Sequence, residues 1–217
     1  MDYAGKAPLP TDLDALKQQL RVGARSFPGL GLGEVDFADL ELAGCDLSNG
    51  DFKASRFGHG RLAGALLNGA CLQQALLWGA DLSGCQAQGS QWHEADLSGA
   101  RLQGADFQGA YLHRACLRGV IAPHSRWQQA RLVEVDFRSA LDQLTDLGQG
   151  DFRGADLSFA QFTGVQLQKA DLRGTCLYQA SFRGADLRGA DLRGCDLSAS
   201  DLREAQLAGA QLEGVHT

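Results

Sequence analysis

The chain has 217 residues and a formal charge of −6, with 20 Lys plus Arg against 26 Asp plus Glu. That balance excludes the clustered basic surface with which a nucleic-acid binder neutralises phosphates. Gly is abundant at 28 and Pro scarce at 4, so collagen-like and Pro-rich linker compositions are excluded as well.

The opening, Met1-Asp2-Tyr3-Ala4-Gly5-Lys6, lacks the basic and then apolar regions of a signal peptide. No apolar run is long enough to cross a bilayer, and a soluble cytoplasmic protein without membrane contact is expected. The first predicted element is a short helix over residues 11–20. Thr11 is its expected N-cap, and Leu13, Leu16 and Leu20 form one apolar face suited to capping the rest of the chain. Residues 1–26 are read as this N-terminal segment and residues 27–217 as one repeat domain.

From Leu32 onward the sequence has a period of five. Stepping by five from 32 to 212 visits 37 positions, and only Ala87, Ala122 and Asp142 are not Leu, Phe or Trp. Two residues before each of these central positions, apart from Leu30 and Leu40, stands Ala, Cys, Gly, Ser, Thr or Val: Cys45, Gly50, Ser55, Gly60, Ala65 and onward. Two residues after it, 18 of the 28 glycines occur, as at Gly64, Gly69 and Gly189. A period of five fits neither a helix of 3.6 residues per turn nor an alternating strand. It fits a chain that turns a corner every five residues, with one small and one large apolar residue inward and glycine at the corner. In the column 47, 67, 87, 107, 127 the large Phe107 and Trp127 are expected to fill space left by Ala87.

The units Ala95-Asp96-Leu97-Ser98-Gly99 and Ala185-Asp186-Leu187-Arg188-Gly189 resemble the A-[DN]-[LF]-x-x motif of the pentapeptide-repeat family. The resemblance covers residues 27–216 and implies an all-β, right-handed quadrilateral β-helix (a β-solenoid). It also implies four repeats per coil, so that residues 20 apart stack. At ~4.8 Å per coil, about nine coils make a rod of roughly 44 Å, with its ends in need of capping.

The residue before the central one is Asp fifteen times, from Asp36 to Asp201, and the residue after it is Arg in eight repeats from Arg118 to Arg203. In late coils Asp151, Asp171 and Asp191 are expected to stack beside Arg153, Arg173 and Arg193, offsetting like-charge repulsion. Net negative charge is concentrated early: residues 1–110 hold 13 acidic against 8 basic side chains, residues 111–217 hold 13 against 12. Cys45, Cys85 and Cys195 fall on inward positions, Cys71, Cys116 and Cys176 on outward ones. No two are 20 apart, so disulfides are not expected.

Two features depart from the repeat. Around residues 120–149, Ala122 and Asp142 replace the central Leu, the residues before them are the apolar Ile121 and Leu141, and Pro123 removes a backbone donor from the expected ladder. The favoured account is a bulge that turns Ile121 and Leu141 inward together. The alternative leaves Ile121, Leu141 and Leu144 exposed as a partner-binding patch. The second feature pairs His93 with His113, and Asp96 with Cys116, each 20 apart. Four such side chains are a conceivable zinc set, but spacing alone shows no convergence, and neither metal nor cofactor is assigned.

A rod filled with Leu and Phe leaves no pocket for catalysis, and the five His pair with no recognisable nucleophile. The favoured function is a non-enzymatic protein-binding scaffold or regulator with an unknown protein partner. The alternative, implied by the family's Qnr-type members, is a DNA-mimicking modulator of DNA gyrase, with Asp36, Asp46, Asp51, Asp96 and Asp106 as the acidic stripe. Against it, a duplex of that length carries roughly 26 phosphates at one per ~1.7 Å. Qnr-type members also carry loops that interrupt the coils, whereas the period here is unbroken. A monomer, or an end-to-end dimer through the C-terminal coil, is expected.

Overall fold

A computed structural model describes residues 8–38 and 40–216. The opening of the 1–26 segment, Asp39 and Thr217 lie outside the described residues. Helix α1 spans Leu13–Arg21, and its N-cap is Asp12 rather than Thr11. Asp12 is extended, and its Oδ1 accepts the Ala15 N–H at 2.8 Å, while the Thr11 hydroxyl donates to the Asp12 carboxylate at 3.4 Å. A carboxylate is the better acceptor at the positive end of a helix. The apolar face packs inward, with Leu16 fully buried and Leu13 and Leu20 resting on the core.

From Ser26 to Cys116 the chain makes one isolated parallel bridge per pentapeptide to the residue twenty further on: Ser26 to Asp46, Gly31 to Asp51, Asp36 to Arg56, Glu41 to Arg61. A side of five residues that must also turn a corner has no length for a longer strand. The backbone accounting within one unit is complete. Asp51 N–H donates to Leu30 O, Phe52 N–H to Cys71 O and Ala54 N–H to Gln73 O, each at 2.8 Å, and Ser55 N–H closes the turn on Phe52 O at 3.2 Å. The fifth donor, Lys53 N–H, has no backbone acceptor, and Asp51 Oδ1 takes it at 3.1 Å.

That leftover donor explains the abundance of Asp. All fifteen aspartates that precede a central residue accept the N–H two residues on. A buried or half-buried N–H must find a partner, and a short carboxylate reaching two residues forward is a standard solution in turns. Pro123 occupies the same position and therefore removes no ladder bond, contrary to expectation, while its carbonyl accepts Gly104 N–H at 3.0 Å. The corner residue is left-handed in every described unit except at Ser139, Leu144 and Ala199. Glycine suits it, yet His59, Gln74 and Phe159 adopt it too, at φ 52, 57 and 62.

The interior is a stack of Leu, Phe and Trp columns, buried from Phe27 to Leu197. Rings stack where aromatics follow one another, as in Phe37–Phe57 at 4.6 Å and Phe107–Trp127 at 4.6 Å between centroids. The two buried tryptophans are housed by the same device. Ser90 Oγ donates to Ala87 O at 2.5 Å and accepts the Trp92 indole N–H at 2.6 Å. Ser125 Oγ donates to Ala122 O and accepts the Trp127 indole N–H, both at 2.6 Å. Ala87 and Ala122 thus make way for the indole five residues on, which brings its own hydroxyl partner. The space beside Ala87 is taken up from the next side, by Trp92, and not only along its own column.

The expectation of unbroken coils is corrected at residues 140–144. Ile121 bridges to Asp146, Arg126 to Asp151, Arg131 to Asp156 and Asp136 to Gln161, a spacing of 25, before Asp146 to Gln166 restores 20. One whole pentapeptide is extruded. Ala122 and Asp142 therefore do not stack: Ala122 N–H bonds to Asp146 O at 2.7 Å, and the buried Leu147 takes the next central place. The bulge that was expected to bury Ile121 and Leu141 does not form. Leu141 is fully exposed at 107% and Ile121 is 37% exposed. Burying the Asp142 carboxylate among leucines would cost more than looping it out.

Candidate protein-binding surface

The extruded pentapeptide is tied at its base and bare at its tip. Thr145 occupies the small inward position in place of Ala140. Its Oγ1 accepts Gly119 N–H at 2.8 Å and donates to Arg138 O at 3.2 Å. Ser139 Oγ accepts Thr145 N–H at 3.1 Å and donates to Gly164 O at 3.1 Å, which joins the coils on either side of the excursion. Within the loop Ala140 N–H donates to Gln143 O at 2.8 Å, and the Gln143 amide donates to Gly119 O. Gly119 is required here: it has φ 65, and a Cβ on it would stand 2.9 Å from that of Ala140.

Leu141 and Leu144 are carried outward, Leu144 at 57% exposure. Leu141 and Asp142, with Ser98, Gly99 and Arg118, line a shallow depression on one side of the corner. Ile121 lies past the corner on the next side, between Arg101 and Asp146. The three apolar residues named from the sequence therefore straddle one corner.

The aspartates proposed as an acidic stripe are spread over three sides. Asp36 and Asp96 share a side, but Arg56 and Leu76 come between them; Asp46 and Asp106 share another, with Leu66 and Gln86 between. Asp51 stands apart from both pairs. Asp106 is nearly buried at 8%, accepts the Gln88 amide at 2.8 Å and pairs with Arg126 at 3.2 Å.

An unbroken carboxylate column does exist, in the later coils, and it is neutralised. Asp151, Asp171 and Asp191 stack by consecutive bridges, and each is gripped by the Arg two residues on, with Nη2 to Oδ2 at 2.6 Å in all three. Arg153 and Arg173 also reach the aspartate of the next coil, at 3.5 and 3.3 Å. The same two-pronged grip joins Asp136 to Arg138, Asp186 to Arg188 and Asp201 to Arg203. Hydrogen bonds from Arg188 and Arg203 hold Asp186 and Asp201 down to about 2. Sequence reasoning expected stacked charges but missed this grip within one repeat. The triplet D-[LF]-R was its visible signal.

His93 and His113 stack at 5.3 Å with an interplanar angle of 11°. Asp96 and Cys116 are on the next side, where Ser98 Oγ lies 2.5 Å from Asp96 Oδ1 and 3.1 Å from Cys116 Sγ. Among the described residues no group of three or more His, Cys, Asp or Glu could hold a metal ion. All six cysteines are free. Burial, with a smaller contribution from Asp106, pushes the Cys85 thiol up to about 12, which leaves it without thiolate character. Among the described residues no helix is long and apolar enough to cross a membrane.

A family model described as pentapeptide repeats matches the chain in eight copies, over residues 61–91, 80–121, 143–179 and 180–216. The gap in that match contains Ala122, Trp127 and most of the extruded unit. Among solved structures the chain is similar to HetL, a pentapeptide repeat protein involved in heterocyst differentiation regulation from the cyanobacterium Nostoc sp.. The two are 33% identical over 95% of each chain, with a TM-score of 0.85. It is also similar to trypsin-treated QnrB1, a plasmid-mediated fluoroquinolone resistance protein, at 23% identity over 87% of this chain and 92% of that one, with a TM-score of 0.51. No match was found among curated proteins.

Proposed function

The chain belongs to the pentapeptide-repeat family, whose members form right-handed β-helices, and from that premise we propose that it is a non-enzymatic protein-binding rod. The reading takes residues 27–217 as a four-sided solenoid of about nine coils, roughly 44 Å long, with 1–26 as its cap. It places the protein in the cytoplasm, where six free thiols stay reduced. One observation carries the proposal: a regular rod extrudes a single pentapeptide that displays Leu141 and Leu144 to solvent. Exposed leucines on a loop anchored by side-chain hydrogen bonds cost solubility without adding to the core, which suits a contact made with a partner. The likeness to HetL, described as involved in heterocyst differentiation regulation, supports a regulatory role exercised through binding.

A photo-crosslinking residue at Leu141 or Leu144 is expected to capture one discrete partner in cells, while the same residue at Gln108, on a regular coil, captures none. Equal labelling at all three positions would sink the proposal. Gyrase modulation by DNA mimicry stands second. It draws on the likeness to QnrB1, which at 23% identity concerns the fold. The aspartates it needs close turns on three separate sides.

A further inference from the structure

A different face of the rod lies on a side that does not carry the extruded pentapeptide. There Gln73, Gln91, His93, Tyr111 and His113 line a shallow depression that contains no carboxylate, in a protein whose net charge is −6. Tyr111 is 45% exposed, and the Arg131 guanidinium sits over its ring at 5.3 Å from the centroid. The stacked imidazoles of His93 and His113 stand beside it. Among the described residues Arg131 has no carboxylate within ion-pair distance.

The neighbouring acids are engaged elsewhere. Glu94 accepts the Gln74 amide at 3.0 Å and contacts His93 at 3.4 Å, and Glu134 is held by Arg114 at 3.0 Å. Asp156, the bridge partner of Arg131 in the next coil, accepts both the N–H and the hydroxyl of Ser158. One coil beyond, the same side presents exposed Tyr178 edge-on to Phe159 at 5.5 Å. Tyr and Arg on a flat, pre-formed face are the residues from which binding hot spots are built. A free guanidinium held over a ring is already ordered for a carboxylate.

We propose that this side, centred on Tyr111 and Arg131, docks an extended acidic segment of a partner protein along the rod axis. From Gln91 to Arg131 is two coil steps, about 10 Å at ~4.8 Å each, the reach of roughly three extended residues, and Asp156 marks the end of that stretch. The proposal rests on the reading of the chain as a protein-binding rod but uses different residues, so the two fail separately. The probe is a fluorescein-labelled octapeptide of glutamate, titrated at low salt, with octalysine as control.

Global charge repels the acidic probe, so saturable binding can come only from a local basic site. The expected result is saturable binding of octaglutamate with shifts in the His93 and His113 ring resonances. Binding should weaken at least ten-fold in Arg131→Gln and in Tyr111→Ala, and stay unchanged in Arg126→Gln and on deletion of 140–144. No saturation, equal affinity in Arg131→Gln, or preference for octalysine would each overturn it. Loss of binding on deletion of 140–144 alone would also overturn it, by moving the site to the loop.

Discussion

The segments 87–92 and 122–127 are built alike, each with an alanine at a central position, a serine three residues on and a buried tryptophan two residues after that. In both, the serine hydroxyl links the alanine carbonyl to the indole. Above Ala87 the coils continue at a spacing of twenty, with Ala87 N–H bonded to Asp106 O, whereas above Ala122 the next coil arrives only after the extruded pentapeptide. The small residue at 122 is thus set by the tryptophan at 127, and the loop is a separate event. Linking Ala122 to Asp142, as the spacing invites, joins two causes that the structure keeps apart.

If that separation is right, the largest effects fall equally on the two tryptophan sites. Trp92→Ala and Trp127→Ala should each cost about 3–5 kcal/mol in chemical denaturation, as expected for emptying a buried aromatic site. A cost much larger at Trp127 than at Trp92 would mean that the indole also supports the loop. Next in size, Ala122→Leu should cost ~1–3 kcal/mol by overpacking against the indole. Combined with Trp127→Leu, which turns the unit into an ordinary repeat, it should recover stability relative to Ala122→Leu alone. Failure of the double variant to recover would detach Ala122 from Trp127.

A smaller effect distinguishes the later coils. Asp186 and Asp201 sit at about 2 in the folded chain, well below the ordinary carboxylate value of 3.8, chiefly because Arg188 and Arg203 donate to them. Their contribution is therefore fully present above pH ~4 and is lost as pH falls toward 2. Acid titration followed by hydrogen exchange should open the Arg-gripped coils after 146 in that window, and Arg188→Gln with Arg203→Gln should shift the opening to higher pH. An unchanged acid profile in the double variant would show that the grips add nothing, as many exposed ion pairs do.

Much of this molecule is legible in its sequence because one geometric unit repeats. The inward Leu and small residues, the corner position and the unpaired cysteines all come from counting by five, and the Leu16 face of the helix from its three- and four-residue spacing. Two things escape that count for physical reasons. Extruding 140–144 removes a full period, so Leu147 falls on the same register as Phe137, and only the charged Asp142 at a central place betrays it. In the sequence the aspartates read as surface charge, although each answers a local need, the donor two residues on. That need appears only when the backbone bonds of a unit such as Asp51 to Ser55 are assigned one by one.

The central claim is that residues 140–144 form a removable contact element on an otherwise self-sufficient rod. Deleting those five residues keeps the period and restores twenty-residue spacing throughout, so folding should be retained. The change in stability should stay within ~1 kcal/mol, since shortening a loop alters closure entropy only slightly. The decisive measurement compares the full chain with the deletion variant for thermal unfolding and for capture of the partner cross-linked at Leu141. The account predicts matching unfolding curves and loss of capture. Capture undiminished in a folded deletion variant would contradict it.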